Sequence, residues 1–159
     1  MLKEGLLGDL MTSREFFNRA TDCLSEEDSG FSPKEDMYTV SQMIAHVAQS
    51  IDWFIDGAFS SENGFSLDFD DHINEAKAVN SLNTAREWLD KSYNAAIKMI
   101  DNKSDEELLM SLPAGPIMGG LPKCAVIGAI SEHTSHHRGS LSVYSRLIGK
   151  EPKMPYGDI

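Results

Sequence analysis

Four stretches of this sequence space their apolar residues three and four positions apart, and turn-rich segments separate them. The spacing predicts an all-α chain. The first helix opens at TSRE, where Thr12 caps and Glu15 returns the hydrogen bond, and it continues through Phe16, Phe17, Ala20 and Leu24. Residues 1–11 read as a helical lead-in. A second such box, TVSQ, sets Thr39 as cap and Gln42 as its partner ahead of Met43, Ile44, Val47, Ile51, Phe54 and Ile55, with Gly57 as the stop. The third stretch covers about 80–100 and buries Leu82, Ala85, Leu89, Tyr93, Ala96 and Ile100. The fourth covers about 123–148, ended by Gly149 with Pro152 beyond it. Helices with one apolar face each bury those faces by packing side by side, so the expected architecture is a four-helix bundle. A length of 159 residues fits a single domain, 1–159.

The links are read more coarsely. Residues 59–78 form an acidic connection carrying His72, and a short helix is expected from Ser104 before an irregular crossing rich in Pro and Gly. Within that crossing, Met110, Met118 and the Gly119–Gly120 pair fit a lid over a site or a plain connector equally well.

Charge narrows the partners. With 14 Lys and Arg against 25 Asp and Glu the formal charge is -11, a field that repels phosphate backbones and anionic lipid. Neither nucleic acid nor a membrane is expected as a partner. The opening MLKEGLLGDL lacks a leader pattern and no apolar run approaches about 18 residues, so the expected location is the cytoplasm. Two cysteines, Cys23 and Cys124, cannot staple a domain of this size and are expected as buried, reduced thiols.

The histidines hold the chemistry. On a helical wheel advancing about 100° per residue with Val126 at zero, Ile130 falls at about 40°, His133 about -20°, His137 about 20° and Tyr144 about 0°. His133 and His137 therefore sit one above the other in the core stripe. A buried imidazole left without a partner costs about 1–3 kcal/mol, and two neighbours cannot both protonate cheaply. Neutral imidazoles four apart on one face form a chelating pair for a divalent transition metal. His46, on the flank of the second helix beside Met43 and on the side of Trp53, is the third candidate. His136 lies at the stripe's border, and His72 in its link; either could complete a closed site with a fourth ligand.

Two readings of the trio stay open at this level: a metal site, or histidines satisfied by hydrogen bonds within the core. No catalytic acid or base stands out, because Glu132, Arg138, Asp52 and Asp56 all read as solvated helix charges. Tyr144 reads as an aromatic core contact, with pocket lining alongside Trp53 as its functional alternative.

His46 in its amphipathic helix, followed by EHTSHHRGSLSVYSRLIGKEPKMPYGD, resembles the DinB family, also called DinB/YfiT-like metalloenzymes. The resemblance covers essentially the whole chain, and its most specific part is the H-x-x-x-H-R-G core. It implies a four-helix bundle, often a homodimer, with zinc, nickel or a similar ion held by His46, His133 and His137, while His136 is an additional histidine outside the ligand set. Ser140 stands where many members have Gln, which puts any supporting role of that side chain in doubt. A subset of the family transfers or isomerises with low-molecular-weight thiols such as bacillithiol or mycothiol. The resemblance thus implies a metal centre activating a nucleophile, a small thiol among the candidates, against an electrophile. The alternative is a non-catalytic metal-binding or stress-response interaction protein whose ion clips two helices together.

Overall fold

The computed structural model describes residues 2–157, and among them every extended element is helical. Four long helices carry the architecture: α1 (Leu2–Thr21), α2 (Val40–Ile55), α4 (Leu82–Asp101) and α6 (Ala125–Leu147). Between them lie α3 (Phe69–Lys77) and the short α5 (Asp105–Leu109). α1 packs on α4 and α6, and α2 packs on the same two, so the long helices close a ring with α1 and α2 at opposite corners. The fold is a helical bundle.

Contacts along the helices fix their directions. Lys3 reaches Asp101 O and Arg14 reaches Asp90, so α1 and α4 are antiparallel. Tyr144 Oη donates to Tyr38 O while His46 meets His133 and His137, so α2 and α6 are antiparallel too. Ser41 bonds Val79 O at the entry to α4 and Asp52 accepts from Trp88 further along, so α2 and α4 run parallel. Parallel neighbours need a return path. The crossover from 56 to 81 supplies it, and α3 lies in that path against α2.

The two expected boxes fare differently. At α2, Gln42 N donates to Thr39 Oγ1 at 3.3 Å and Thr39 N donates to Gln42 Oε1 at 3.0 Å, closing the box read from TVSQ. Thr12 and Glu15, however, are exposed residues inside α1, which begins at Leu2. The apolar stripe continues upstream through Leu6 and Leu10, and Gly5 and Gly8 are tolerated on a helix whose added Cβ atoms would meet nothing. The expected short helix from Ser104 is present as α5, with its own reciprocal cap to Glu107. All six predicted core residues of α4 are buried to 2 % exposure or less.

Two further expectations need correction. Residues 59–78 are not simply a connection: Asp68 caps α3 by accepting from Asp71 N, and Phe69, Ile73 and Ala76 follow at helical spacing. The acidic composition masked a helix of only two turns or so. Cys23 and Cys124 are free thiols and half-buried rather than fully buried.

The end of α2 departs from the expected stop. Its last turn widens into a π-helical segment, Asp56–Ser60, which includes Gly57. Phe65 closes on that glycine so tightly that a Cβ there would fall 2.3 Å from the ring's Cδ1. Trp53 Nε1 donates to Ser66 O at 2.8 Å, and the crossover is thereby fastened to α2 just where α3 begins. Among the described residues no helix is long and apolar enough to cross a membrane.

Candidate metal centre

α2 and α6 bring His46, His133 and His137 to one point, with potential ligand atoms all within 4.8 Å of one another. Ring centroids are 5.0 Å apart for His46 and His133, 4.8 Å for His46 and His137, and 4.5 Å for His133 and His137. The register follows from the sequence: positions four apart on α6 stack one turn above the other, and the antiparallel α2 presents His46 between them.

The Nε2 atoms of His133 and His137 face each other at 3.2 Å. Two nitrogens held about 2.0–2.1 Å from one tetrahedral ion lie about 3.3–3.4 Å apart, so this pair has nearly the separation of two ligands. Nδ1 of His46 and Nδ1 of His137 are buried without hydrogen-bond partners. Protein groups thus leave the trio under-satisfied, contrary to the reading in which hydrogen bonds alone account for these histidines. The donor set, three imidazoles of which two hold unpartnered buried nitrogens, suits a divalent transition ion.

Burial chiefly sets the protonation state. Desolvation lowers the His46 pKa below its ordinary value. Desolvation first, then the neighbouring His46 and His136, takes His133 down to about 4. Desolvation followed by His133, His46 and His136 takes His137 down to about 3. At neutral pH the rings are therefore neutral, the form in which an imidazole lone pair can bind a metal.

Tyr38 stacks on His46 with centroids 5.2 Å apart and planes 28° from parallel. Periodicity could not reveal this contact, because Tyr38 precedes the α2 cap and belongs to no apolar stripe.

One side of the trio opens onto a cavity of about 390 Å³ lined by His46, His133, Trp53, Phe54, Phe69 and His72, among others. α3 forms one wall, which a reading of 59–78 as a mere link could not supply. His72 lies on this wall rather than in the ligand cluster, and His136 is exposed on α6 beside His137, with ring centroids 4.9 Å apart. Neither completes a closed four-ligand site among the described residues.

Other candidates take structural places. Tyr144 is buried edge-on against Phe31 and donates to Tyr38 O at 3.1 Å, while Trp53 alone of that pair lines the cavity. Arg138 lies over the paired rings of Phe16 and Tyr156, 5.6 Å from each centroid. Asp52 is not merely solvated: it accepts from Trp88 Nε1 at 2.7 Å. Glu132 and Asp56 are exposed. Met110, Met118, Gly119 and Gly120 form no part of the cavity wall, and residues 113–117 of the crossing instead line a separate hollow with the 63–67 loop.

The helical bundle and the placement of the three histidines agree with a family-level match, since the sequence profile of the DinB family fits residues 5–158. The chain belongs to the DinB family. Among curated proteins, no relative matches it. Membership is compatible with the bundle and with a three-histidine group that could hold a metal ion; it assigns neither the ion nor a reaction.

Proposed function

We propose that residues 1–159 form one domain in which His46, His133 and His137 ligate a divalent transition ion, zinc or nickel, to activate a nucleophile against an electrophile. The nucleophile in this reading is a low-molecular-weight thiol, and the protein acts as a cytoplasmic homodimer. One observation carries the reading: three neutral imidazoles converge from two helices beside a cavity large enough for a small molecule.

When bound, such an ion supplies Lewis acidity that favours the deprotonated form of a thiol or water at neutral pH. The protein's part is positioning. α6 holds two ligands in fixed register, α2 holds the third, and Tyr38 restrains the His46 ring by stacking. Phe54, Phe69 and Trp53 keep the adjoining space apolar, which strengthens electrostatic effects at the centre. Among the described residues no carboxylate joins the trio, so in this reading the proton released by the nucleophile leaves to solvent. The absence of a fourth protein ligand among the described residues supports an open centre over an ion that only clips α2 to α6.

The test is conjugation of bacillithiol or mycothiol to monochlorobimane, in which a C–S bond forms, the C–Cl bond breaks, and chloride and a proton leave. Zinc- or nickel-loaded protein should accelerate it over the same ion in buffer, and His46→Ala should not. Stoichiometric metal with no acceleration for either thiol would favour the structural-metal alternative. Sedimentation of the loaded protein at twice the chain mass is the expected result for the homodimer.

A further inference from the structure

The α2 wall of the cavity beside the trio is a single helical face. His46, Gln49, Ser50 and Trp53 recur along it at helical spacing, and all of them line the cavity. Two of these break the apolar pattern expected of a buried helix: Gln49 is 6 % exposed and Ser50 7 %. Neither side chain makes a hydrogen bond to the described residues, yet their polar atoms are not sealed off as Nδ1 of His46 and of His137 are. The sliver of surface that each residue keeps therefore reaches its polar atoms. For Ser50 that surface opens onto this cavity; Gln49 is a wall shared by the cavity and the hollow beside it.

A primary amide presents a donor and an acceptor side by side, and the serine hydroxyl adds a second donor. An apolar occupant would displace water from these groups and leave them unmet, at a loss of affinity. A carboxamide or lactam is their complement: its carbonyl accepts from Gln49 Nε2 and Ser50 Oγ, and its N–H donates to Gln49 Oε1. Trp53, Phe54 and Phe69 make the neighbouring wall aromatic, and a volume of about 390 Å³ admits a ring beside the amide.

We propose that this cavity binds a small molecule carrying a carboxamide or lactam next to an aromatic or other apolar body, with Gln49 and Ser50 as the residues that recognise the amide. The proposal goes beyond the metal reading and needs no ion, because the recognition pair lies one turn along α2 from His46. Its consequence is discrimination by hydrogen bonding at equal shape: a ketone of the same outline lacks the N–H and leaves Gln49 Oε1 unmet.

The test uses benzamide and acetophenone, which differ by an amino group against a methyl. Each is titrated into the full isotope-labelled chain, with and without zinc, and followed by proton–nitrogen correlation spectra. In the parent, benzamide should bind about three- to tenfold more tightly than acetophenone and should shift the side-chain amide signal of Gln49. Gln49→Met, close in volume, should abolish the preference. Ser50→Ala should weaken both ligands by about two- to tenfold and leave their ratio unchanged. Acetophenone binding as tightly as benzamide or more so in the parent, or a Gln49 signal that does not move, would overturn the proposal with no variant needed. Benzamide bound by a chain that takes up no zinc would remove the metal reading and leave this one standing; zinc taken up with benzamide unbound would do the reverse.

Discussion

At the scale of single residues, the trio's behaviour follows from desolvation. His133 and His137 are held at about 4 and about 3, against an ordinary imidazole value of 6.5. Between those limits the unfolded chain takes up protons that the folded one refuses, so stability rises with pH there. The contribution is fully present above about 6.5 and is lost as the pH falls through about 4 and then about 3. Metal-free protein should therefore melt at progressively lower temperature from pH 6.5 downward, and His137→Phe should flatten that slope. Thermal denaturation across the range checks it; parallel slopes in parent and variant would contradict it. The ligand candidates were legible because α6 is regular and uninterrupted, so wheel angles translate directly into positions. The Tyr38 stack and the orphaned nitrogens were not, since they depend on side-chain placement across elements.

Among the elements, caps and close approaches decide what the ends of helices do. Thr39→Ala removes the acceptor for Gln42 N at the start of α2 and should cost about 1 kcal/mol in chemical denaturation. Gly57 is the more consequential position. Adding a methyl group 2.3 Å from the Phe65 ring forces the crossover away from α2, so Gly57→Ala should destabilise by about 1–3 kcal/mol. It should also disturb the environment of Trp53, readable as a shift in its fluorescence, because Phe65 and Ser66 both touch that side chain. An unchanged denaturation midpoint with unchanged emission would contradict the close approach. The reciprocal cap of α2 was readable from sequence because it is a local four-residue signal, and the start of α5 at Ser104 was legible as a short helix. Thr12 carried the same signal without acting as a cap, because the stripe through Leu6 and Leu10 extends the helix past it. α3 was missed because Ala76 is its only buried residue and acidic residues dominate its outer face.

For the whole molecule, the ring of long helices determines which polar groups meet in the core. Ser13, Tyr93 and Thr134 connect α1, α4 and α6 through oxygens 3.0 and 3.5 Å from the tyrosine hydroxyl. Tyr93→Phe leaves two buried hydroxyls short of a partner and should lower stability by about 1–2 kcal/mol without changing metal content, as denaturation and elemental analysis of one preparation would check. The bundle itself was legible from four stripes and their links. Helix order around the ring was not: parallel α2 and α4 require a crossover, and nothing in the periodicity distinguishes that path from a hairpin. The cavity beside the trio depends on that crossover, which is why its α3 wall and His72 could not be placed beforehand.

The central claim is that the three histidines form one metal site, and elemental analysis of tag-free protein tests it most directly, with His46→Ala and His137→Ala variants prepared identically. About one divalent transition ion per chain in the parent and loss in both variants is the predicted result. No metal in the parent, and none taken up on adding zinc or nickel, would contradict it and leave a helical bundle with the unpartnered nitrogens of His46 and His137 to be explained another way.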